Sequence, residues 1–325
     1  MREKRVGLAL GSGFVRGLTH IGVLKVFEEN NIPIGMIAGT SMGALIGASY
    51  CCGNSPDKLK EYMINNRWED LVDFTMPKTG LLSSLRIKNE IKKLTKNKSF
   101  NETKIPLRVV ATDLNTREEV VFVSGKVANA VMASSAAPGI FSPVKIRGRE
   151  LIDGGLVDPI PVEPLDKKFS DVIVAVDIST KPQKKIVMDT SEDQFTSWLK
   201  SRLISTEFNY LREAVKQGKF FRAPVLILKI LDRLILKYLN PNNILNYISK
   251  AEVPKIVKVM AVQHDILMNQ LVIEKLKNPY IDVVIKPELR GITRYEFDKS
   301  DYIIKQGEKA TREVMPKIKR LLHSK

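Results

Sequence analysis

The chain has 325 residues, of which 44% are hydrophobic and 27% charged, a composition typical of a globular protein large enough to bury one extended core. Its two cysteines, Cys51 and Cys52, are adjacent, which excludes a disulfide scaffold, so we expect buried thiols in a reducing compartment. The net charge of +16 favours anionic partners such as nucleic acid or a bilayer surface, without choosing between them.

The first part of the chain alternates between strand and helix patterns. A buried strand is predicted at residues 6–10, a glycine-rich loop follows, and apolar residues at helical spacing predict a helix over 18–30. A second strand at 34–38 leads through another glycine turn into a helix over 44–50. Strand, loop and helix in this repeated order predict an α/β fold with a largely parallel sheet.

The later segments resume this pattern after an interruption. The remaining predicted elements are strands at 107–112, 120–123, 149–152, 172–176 and 281–285 and helices at 127–137, 261–276 and 302–322. Between the two groups the sequence becomes helical in pattern and rich in lysine, which we interpret as an insertion. The predicted organisation is an α/β core over 5–180, a basic, amphipathic helical insertion over 181–258, and a C-terminal strand and helices over 259–325 that complete the core.

A candidate nucleophile lies at the second glycine turn, where Gly39, Ser41 and Gly43 form a G-x-S-x-G motif between a predicted strand and a predicted helix. This context exposes the hydroxyl at the carboxyl edge of a sheet, where the helix dipole favours developing negative charge. Glycine on both sides lets the strand and the helix approach each other. The same motif also occurs by chance as an ordinary glycine-rich turn, so the motif alone leaves both interpretations open.

The first glycine loop, residues 11–17, is compatible with two kinds of site. It is not a Walker A loop, because Leu18 and Thr19 follow its last glycine in place of Lys and Ser or Thr. A dinucleotide loop would make the protein a nucleotide-binding oxidoreductase, although Arg16 occupies a position where glycine is expected. In an oxyanion hole, the backbone N–H groups would hold an anionic acyl-transfer intermediate, with Gly13 and Phe14 as the leading donors.

A candidate acid, Asp153, ends a predicted short strand and is followed by Gly154 and Gly155, whose small size lets another segment approach the carboxylate. An ordinary Asp-Gly-Gly turn has the same sequence. The chain has only 3 histidines, and we expect His20 and His264 to be structural. A serine paired directly with an aspartate is therefore a plausible alternative to a Ser-His-Asp triad.

Together and in this order, these motifs resemble the patatin-like phospholipase family. The similarity covers roughly residues 5–180 and resumes at about 261–310. The segments that carry it are 8–24, 39–43, 111–114, 133–141, 151–161 and 285–292. Several separated motifs in the same order are far more specific than any one of them.

The resemblance implies a three-layer patatin-like fold and hydrolysis of lipid acyl esters by a Ser41–Asp153 dyad, without a cofactor or metal. It also implies an oxyanion hole formed by Gly11, Ser12, Gly13 and Phe14. The residues that it implies as support for the site are Arg16, Gly39, Gly43, Gly154 and Gly155. Arg16 would brace the loop or meet lipid phosphate, and Asp113 would be structural. Ser12 and Phe14 stand where the fullest version of the family loop has glycines, and Phe14 would narrow the acyl pocket.

These observations predict a phospholipase A-like or lysophospholipase-like serine ester hydrolase that acts on phospholipid or lysophospholipid. Three alternatives stay open: an acyltransferase at the same site, a regulatory patatin-like protein with little turnover, and the nucleotide-dependent oxidoreductase. Nucleic-acid binding ranks low, because no platform of aromatic and basic residues accompanies the charge. The sequence does not determine an oligomeric state.

A nearly apolar segment at 225–239, within the predicted insertion, carries a narrow polar stripe and has basic residues upstream. Such a segment suits an anionic membrane surface, with residues 220–240 as the contact; a buried packing helix or a dimer interface is the alternative. No stretch approaches the ~18 uncharged apolar residues of a membrane-spanning helix, and the N-terminal apolar run is too short for a signal peptide. We therefore expect a cytoplasmic protein, with peripheral binding to the inner face of the membrane as a further expectation.

Overall fold

The computed structural model describes residues 2–66, 73–74, 82–83, 85–138, 141–180, 255–292 and 296–324. Met1–Lys184 and His264–Lys325 form one compact unit, and the second unit is Lys185–Gln263. The predicted insertion 181–258 lies outside the described residues except for its last four, and so does the whole of the predicted membrane segment 220–240. The predicted domain boundaries therefore stay predictions.

Within these ranges the strands are β1 (Val6–Leu10), β2 (Ile34–Thr40), β3 (Asp73–Phe74), β4 (Leu82–Ser83), β5 (Leu107–Asp113), β6 (Glu119–Phe122), β7 (Val144–Ile146), β8 (Arg149–Asp153), β9 (Val172–Val176) and β10 (Val283–Ile285). The helices are α1 (Thr19–Glu29), α2 (Met42–Cys51), α3 (Pro56–Asn65), α4 (Leu85–Leu94), α5 (Val127–Ser134), α6 (Lys255–Lys275) and α7 (Ser300–His323).

The described strands form one large mixed sheet and a separate β3–β4 pair. The order in the large sheet is β10-β9-β1-β2-β5-β8-β7, with β6 also paired to β5. The neighbours from β10 to β5 are parallel, whereas β6 and β8 run antiparallel to β5. All residues of β1 and β9 are buried, as expected for parallel strands covered on both faces, and this explains their uninterrupted apolar sequences. The predicted α/β fold with a mainly parallel sheet is confirmed.

Helices α1 and α7 pack closely against each other through glycines. A Cβ on Gly22 of α1 would lie 2.2 Å from the Ile304 carbonyl oxygen, and one on Gly307 of α7 would lie 2.1 Å from the Thr19 carbonyl oxygen. Contact at this distance between two backbones requires glycine. None of the helices in the described ranges is long and apolar enough to cross a bilayer.

Strand β5 brings the ends of two other elements together. Thr40, the last residue of β2, pairs with Val110, and Asp153, the last residue of β8, pairs with Ala111. Helices α2 and α5 both pack on this strand. The residue that follows β2 and the residue that ends β8 therefore meet at one edge of the sheet.

The two cysteines lie at the far end of α2 from this edge. Both are buried free thiols, as composition predicted. Burial raises the pKa of the Cys52 thiol to about 11, so the thiol stays protonated and unreactive near neutral pH.

Candidate active site

Ser41 occupies a sharp turn between β2 and α2. Its backbone has φ 55° and ψ −118°, a conformation that non-glycine residues rarely adopt and that surrounding contacts must hold in place. Glycine is required on both sides, because a Cβ on Gly39 would lie 2.6 Å from the Gly43 carbonyl oxygen and one on Gly43 would lie 2.2 Å from the Leu10 carbonyl oxygen. The local sequence thus fixes a strained serine at the carboxyl edge of the sheet, which is the geometry of a nucleophile elbow.

Ser134, at the end of α5, holds this strained turn. The Ser41 N–H donates a hydrogen bond of 2.8 Å to the Ser134 hydroxyl, and Ser134 is fully buried. Ser134 was not among the predicted site residues, although it lies in the 133–141 segment that carries part of the family resemblance. The apolar helix pattern around Ser134 is the signal that could have identified it, since a hydroxyl on a buried helix needs a hydrogen-bond partner.

The substitution Ser134→Ala removes the acceptor of the Ser41 N–H and leaves α5 otherwise intact. We expect the free energy of unfolding to fall by about 1–3 kcal/mol, because a buried donor loses its partner. The rate of ester hydrolysis should also fall, because the turn that carries the nucleophile is released. Urea unfolding and ester kinetics measure the two effects. The neighbouring Ser135→Ala is the control, and equal effects of both substitutions would contradict the assignment.

Asp153 faces Ser41 from the end of β8. Ser41 Oγ donates a hydrogen bond of 2.8 Å to Asp153 Oδ2, and Oδ1 accepts one of 2.8 Å from the Gly155 N–H. Both residues are buried, Ser41 with 6% and Asp153 with 7% of its surface exposed. Because a backbone donor fixes Oδ1, Oδ2 is aimed at the serine and can accept its proton.

The backbone of Asp153 is held as firmly as its side chain. Its N–H donates to the Ala136 carbonyl oxygen at 3.0 Å, and its carbonyl oxygen accepts from the Thr112 hydroxyl at 2.8 Å. A Cβ on Gly154 would lie 2.2 Å from the Val110 carbonyl oxygen, so only glycine lets the turn after β8 lie this close to β5. Main-chain packing, and not only side-chain choice, therefore positions the carboxylate.

The glycine loop after β1 lies against the Ser41 turn. A Cβ on Gly17 would lie 2.5 Å from Met42 Cγ, and one on Gly43 would lie 2.8 Å from the Gly11 carbonyl oxygen. The Ser12 N–H donates a hydrogen bond to the Pro159 carbonyl oxygen at 2.9 Å. Of the predicted oxyanion-hole donors, Ser12 therefore already has an acceptor within the protein. The buried Gly13 N–H has no acceptor among the described residues, which makes it the leading donor of the predicted set.

Residues 8–166 match the family described as patatin-like phospholipase, and this range contains the glycine loop, Ser41 and Asp153. Residues 8–166 belong to the patatin-like phospholipase family. The family predicted from the motifs is confirmed. The glycine loop is part of this patatin-like domain, so the dinucleotide interpretation of the loop loses its support.

Proteins from several organisms are similar in sequence to this chain. An uncharacterized NTE family protein of Mycobacterium tuberculosis is 32% identical over 62% of this chain and 56% of its own length. Lysophospholipase NTE1 of Kluyveromyces lactis is 29% identical over 54% of this chain and 13% of its own length. Patatin-like phospholipase domain-containing protein 6 of Mus musculus is 27% identical over 59% of this chain and 15% of its own length. The chain thus spans between 13% and 56% of the length of these relatives.

Arg16 braces the glycine loop of the patatin-like domain. The side chain is buried, with 6% exposed, and its Nη1 donates a hydrogen bond of 2.7 Å to the Thr180 hydroxyl. This contact ties the loop after β1 to the segment that follows β9. Of the two roles predicted for Arg16, bracing is the one that its contacts support.

Asp113, which the sequence analysis took as structural, contacts the turn that follows β5. Its Oδ1 accepts hydrogen bonds from the N–H groups of Asn115 and Thr116 at 2.9 and 3.2 Å, which makes it a cap for the turn between β5 and β6. No group of three or more His, Cys, Asp or Glu side chains within the described ranges is arranged to hold a metal.

Asp158 is a further buried acid beside the site that the sequence analysis did not single out. Its carbonyl oxygen accepts a hydrogen bond of 2.9 Å from the hydroxyl of Thr40, the residue before Ser41. Its carboxylate is fully buried and 3.4 Å from Lys275 Nζ, which also contacts Glu163 at 3.1 Å. Burial raises the pKa of the Asp158 carboxyl to about 8, and the Lys275 ammonium beside it offsets this only in part. Its presence in the 151–161 motif is the signal that could have identified it.

The raised pKa of Asp158 makes stability depend on pH. The pKa of about 8 in the folded protein exceeds the ordinary aspartate pKa of 3.8, so between these two pH values the folded protein binds a proton that the unfolded chain releases. The stabilisation is complete below the unfolded pKa and is lost as pH rises through the folded pKa. We expect Asp158→Asn, which cannot ionise, to become more stable relative to the wild type as pH rises across this range.

Urea unfolding of both proteins across that pH range measures the difference. Asp166→Asn, at an exposed carboxylate on the same connecting segment, is the control and should run parallel to the wild type. An Asp158→Asn curve that is also parallel to the wild type would contradict the assignment.

Proposed function

We propose that this protein is a serine lipid acyl hydrolase with phospholipase A or lysophospholipase activity, in which Ser41 is the nucleophile and Asp153 the base. The observation that carries the proposal is the 2.8 Å hydrogen bond from Ser41 Oγ to Asp153 Oδ2 at a strained elbow. The patatin-like family and the lysophospholipase name of a relative support the choice of lipid esters.

In the acylation step, Asp153 takes the proton of Ser41 while Oγ attacks the ester carbonyl carbon. The carbonyl oxygen becomes an oxyanion, and the Gly13 N–H, with neighbouring loop amides, stabilises it. When the tetrahedral intermediate collapses, the bond to the leaving alcohol breaks, and the alcohol takes the proton from Asp153. Ser41 is left as an acyl ester.

In the deacylation step, a water molecule attacks the acyl carbonyl and gives its proton to Asp153. The same loop amides stabilise the second oxyanion. Collapse of this intermediate breaks the bond to Ser41 Oγ, which recovers the proton, and the fatty acid leaves. Asp153 thus acts first as base and then as acid in each half of the reaction, and the protein is restored without a second titrating residue.

Two predictions about where the protein acts accompany this function. The cytoplasmic location and the peripheral contact of residues 220–240 with an anionic membrane stay predictions. Flotation with anionic and with neutral vesicles, comparing the full chain with one lacking 220–240, tests the contact. Equal recovery of both proteins on anionic vesicles would contradict it.

The function itself is tested with lysophosphatidylcholine and phosphatidylcholine, in the presence of EDTA. We expect the wild type to release free fatty acid, detected by mass spectrometry, and Ser41→Ala to release none above background. Addition of an acceptor alcohol separates hydrolysis from acyl transfer, since an acyltransferase would form the new ester instead. A wild type that releases no fatty acid and forms no new ester would contradict the proposal.

A further inference from the structure

The buried ring of His20 is hydrogen-bonded to the glycine loop. His20 is the second residue of α1 and is fully buried, and its Nε2 lies 2.7 Å from the Gly11 carbonyl oxygen. Because a carbonyl oxygen only accepts, Nε2 must carry the proton and act as the donor. Burial lowers the pKa of His20 to about 4, so the ring is neutral near pH 7 and its single proton is on Nε2.

The peptide group that His20 binds is also held from its other side. The carbonyl of Gly11 and the N–H of Ser12 belong to one planar peptide group, and the Ser12 N–H donates to the Pro159 carbonyl oxygen at 2.9 Å. This peptide cannot rotate without breaking one of the two bonds. The amide that comes next, the Gly13 N–H, has no acceptor among the described residues, and a rotation of the peptide before it would displace this N–H.

We propose that His20 is a positioning residue for ester hydrolysis, which fixes the Gly11–Ser12 peptide through its Nε2–H and thereby directs the Gly13 N–H at the oxyanion formed on Ser41. The inference rests on the proposed hydrolase function and gives His20 no part in proton transfer. It goes beyond the structural role expected for His20, because it assigns a consequence for catalysis to one hydrogen bond.

The ring's environment favours this role over simple filling of space. His20 Nδ1 is buried and has no hydrogen-bond partner among the described residues, so the ring is held to the loop through Nε2 alone. Its Cδ2, adjacent to Nε2, lies 3.6 Å from where a Cβ on Gly17 would stand, next to Met42. The ring therefore underlies both ends of the loop that borders the nucleophile, and an apolar side chain of the same volume would leave the Gly11 carbonyl without its donor.

Positioning of an oxyanion donor predicts a particular kinetic pattern. Such a donor acts on the transition state more than on the bound substrate, so losing its alignment lowers kcat and leaves KM nearly unchanged. A general loss of folded protein lowers the active fraction but does not alter the affinity of the remaining sites for a transition-state analogue. These two readouts separate positioning from stability.

The test compares His20→Leu, which lacks the donor, with His20→Gln, whose terminal amide reaches the place of Nε2. Both are assayed as the full chain with p-nitrophenyl butyrate and with a trifluoromethyl ketone, which adds to a serine as an anionic hemiketal. We expect His20→Leu to lower kcat by about 10- to 100-fold, with KM within about twofold, and to weaken ketone binding by the same factor. His20→Gln should recover most of both. Val23→Ala, a buried change in the same helix α1, is the stability control and should keep the wild-type affinity for the ketone.

Each outcome supports or overturns the proposal. An active wild type together with a folded His20→Leu of unchanged kcat or unchanged ketone affinity overturns it, and so does a His20→Gln that is no better than His20→Leu. If His20→Leu does not fold, His20→Asn replaces it, because its shorter amide matches Nδ1 and does not reach Gly11. A wild type that neither cleaves esters nor binds the ketone overturns the proposed function as well, which distinguishes the two failures.

Discussion

Replacing Asp153 with asparagine should lower kcat for ester hydrolysis by about 10³-fold, with little change in KM. The amide keeps the size of the side chain and can still accept the hydrogen bond from the Gly155 N–H, which now holds Oδ1 at 2.8 Å. It cannot take the proton of Ser41, whose Oγ lies 2.8 Å from Oδ2. The loss is therefore chemical and not structural, and steady-state kinetics with a soluble ester measures it.

The matched control for this change is Asp113→Asn, on the strand next to Asp153. Asp113 is also buried, with 3% exposed, and its Oδ1 caps a turn through backbone donors that an asparagine oxygen can still receive. We expect activity within about threefold of the wild type, as for most substitutions away from the reacting atoms. If the two variants lost activity equally, or if Asp153→Asn kept more than a tenth of it, Asp153 would not be the base.

Gly43→Ala should strongly lower the stability of the protein. The new Cβ would stand 2.2 Å from the Leu10 carbonyl oxygen and 2.8 Å from the Gly11 carbonyl oxygen, and backbone atoms cannot turn aside as a side chain can. Helix α2 would have to move away from β1 and from the glycine loop. We expect a loss of about 3 kcal/mol or more in the free energy of unfolding, measured by urea, together with loss of esterase activity.

Gly47→Ala, one turn later in the same helix, is the comparison for this substitution. Its Cβ would meet the ends of two side chains, 2.9 Å from Ile37 Cγ2 and 3.1 Å from Leu10 Cδ1, and these can shift. Alanine also favours the helix by about 1 kcal/mol over glycine. Gly47→Ala should therefore be far milder, and an equal penalty at both positions would show that the backbone contact at Gly43 is not the cause.

The elements that could be predicted are those whose apolar residues are continuous or regularly spaced. Strand β9 was predicted at its observed bounds, 172–176, because a parallel strand covered on both faces is apolar throughout. Helix α5 ends at Ser134, three residues before the predicted end, and just beyond it the Ala136 carbonyl accepts a hydrogen bond from the Asp153 N–H. Helix α6 begins at Lys255, before the predicted 261.

Helix α3 could have been predicted from its cap and was not. Ser55 accepts a hydrogen bond from the Lys58 N–H at 3.3 Å, and Pro56 is the first helical residue, a start signal that is legible in the sequence. Helix α4 was also missed, although Ile87, Ile91 and Leu94 stand at helical spacing and all three are buried.

The residues of the candidate site also differ in whether the sequence analysis identified them. Ser41, Asp153 and the glycine loop were singled out within their motifs, whereas Ser134 and Asp158, which also lie in segments that resemble the family, were not. Ser134 binds a residue 93 positions away, and the Asp158 carbonyl binds one 118 positions away. The sequence offers both residues as candidates, but only the fold shows which partners they bind.

The pairing of Ser41 with Asp153 is tested most directly by labelling with a fluorophosphonate, which reacts only with an activated serine. Intact-mass and peptide mass spectrometry should find one adduct, on Ser41, in the wild type. We expect Ser41→Ala to remain unlabelled, and Asp153→Asn to label at least about 100-fold more slowly because its serine is no longer deprotonated. A wild type that stays unlabelled, an adduct on another serine, or an undiminished rate in Asp153→Asn would contradict the dyad.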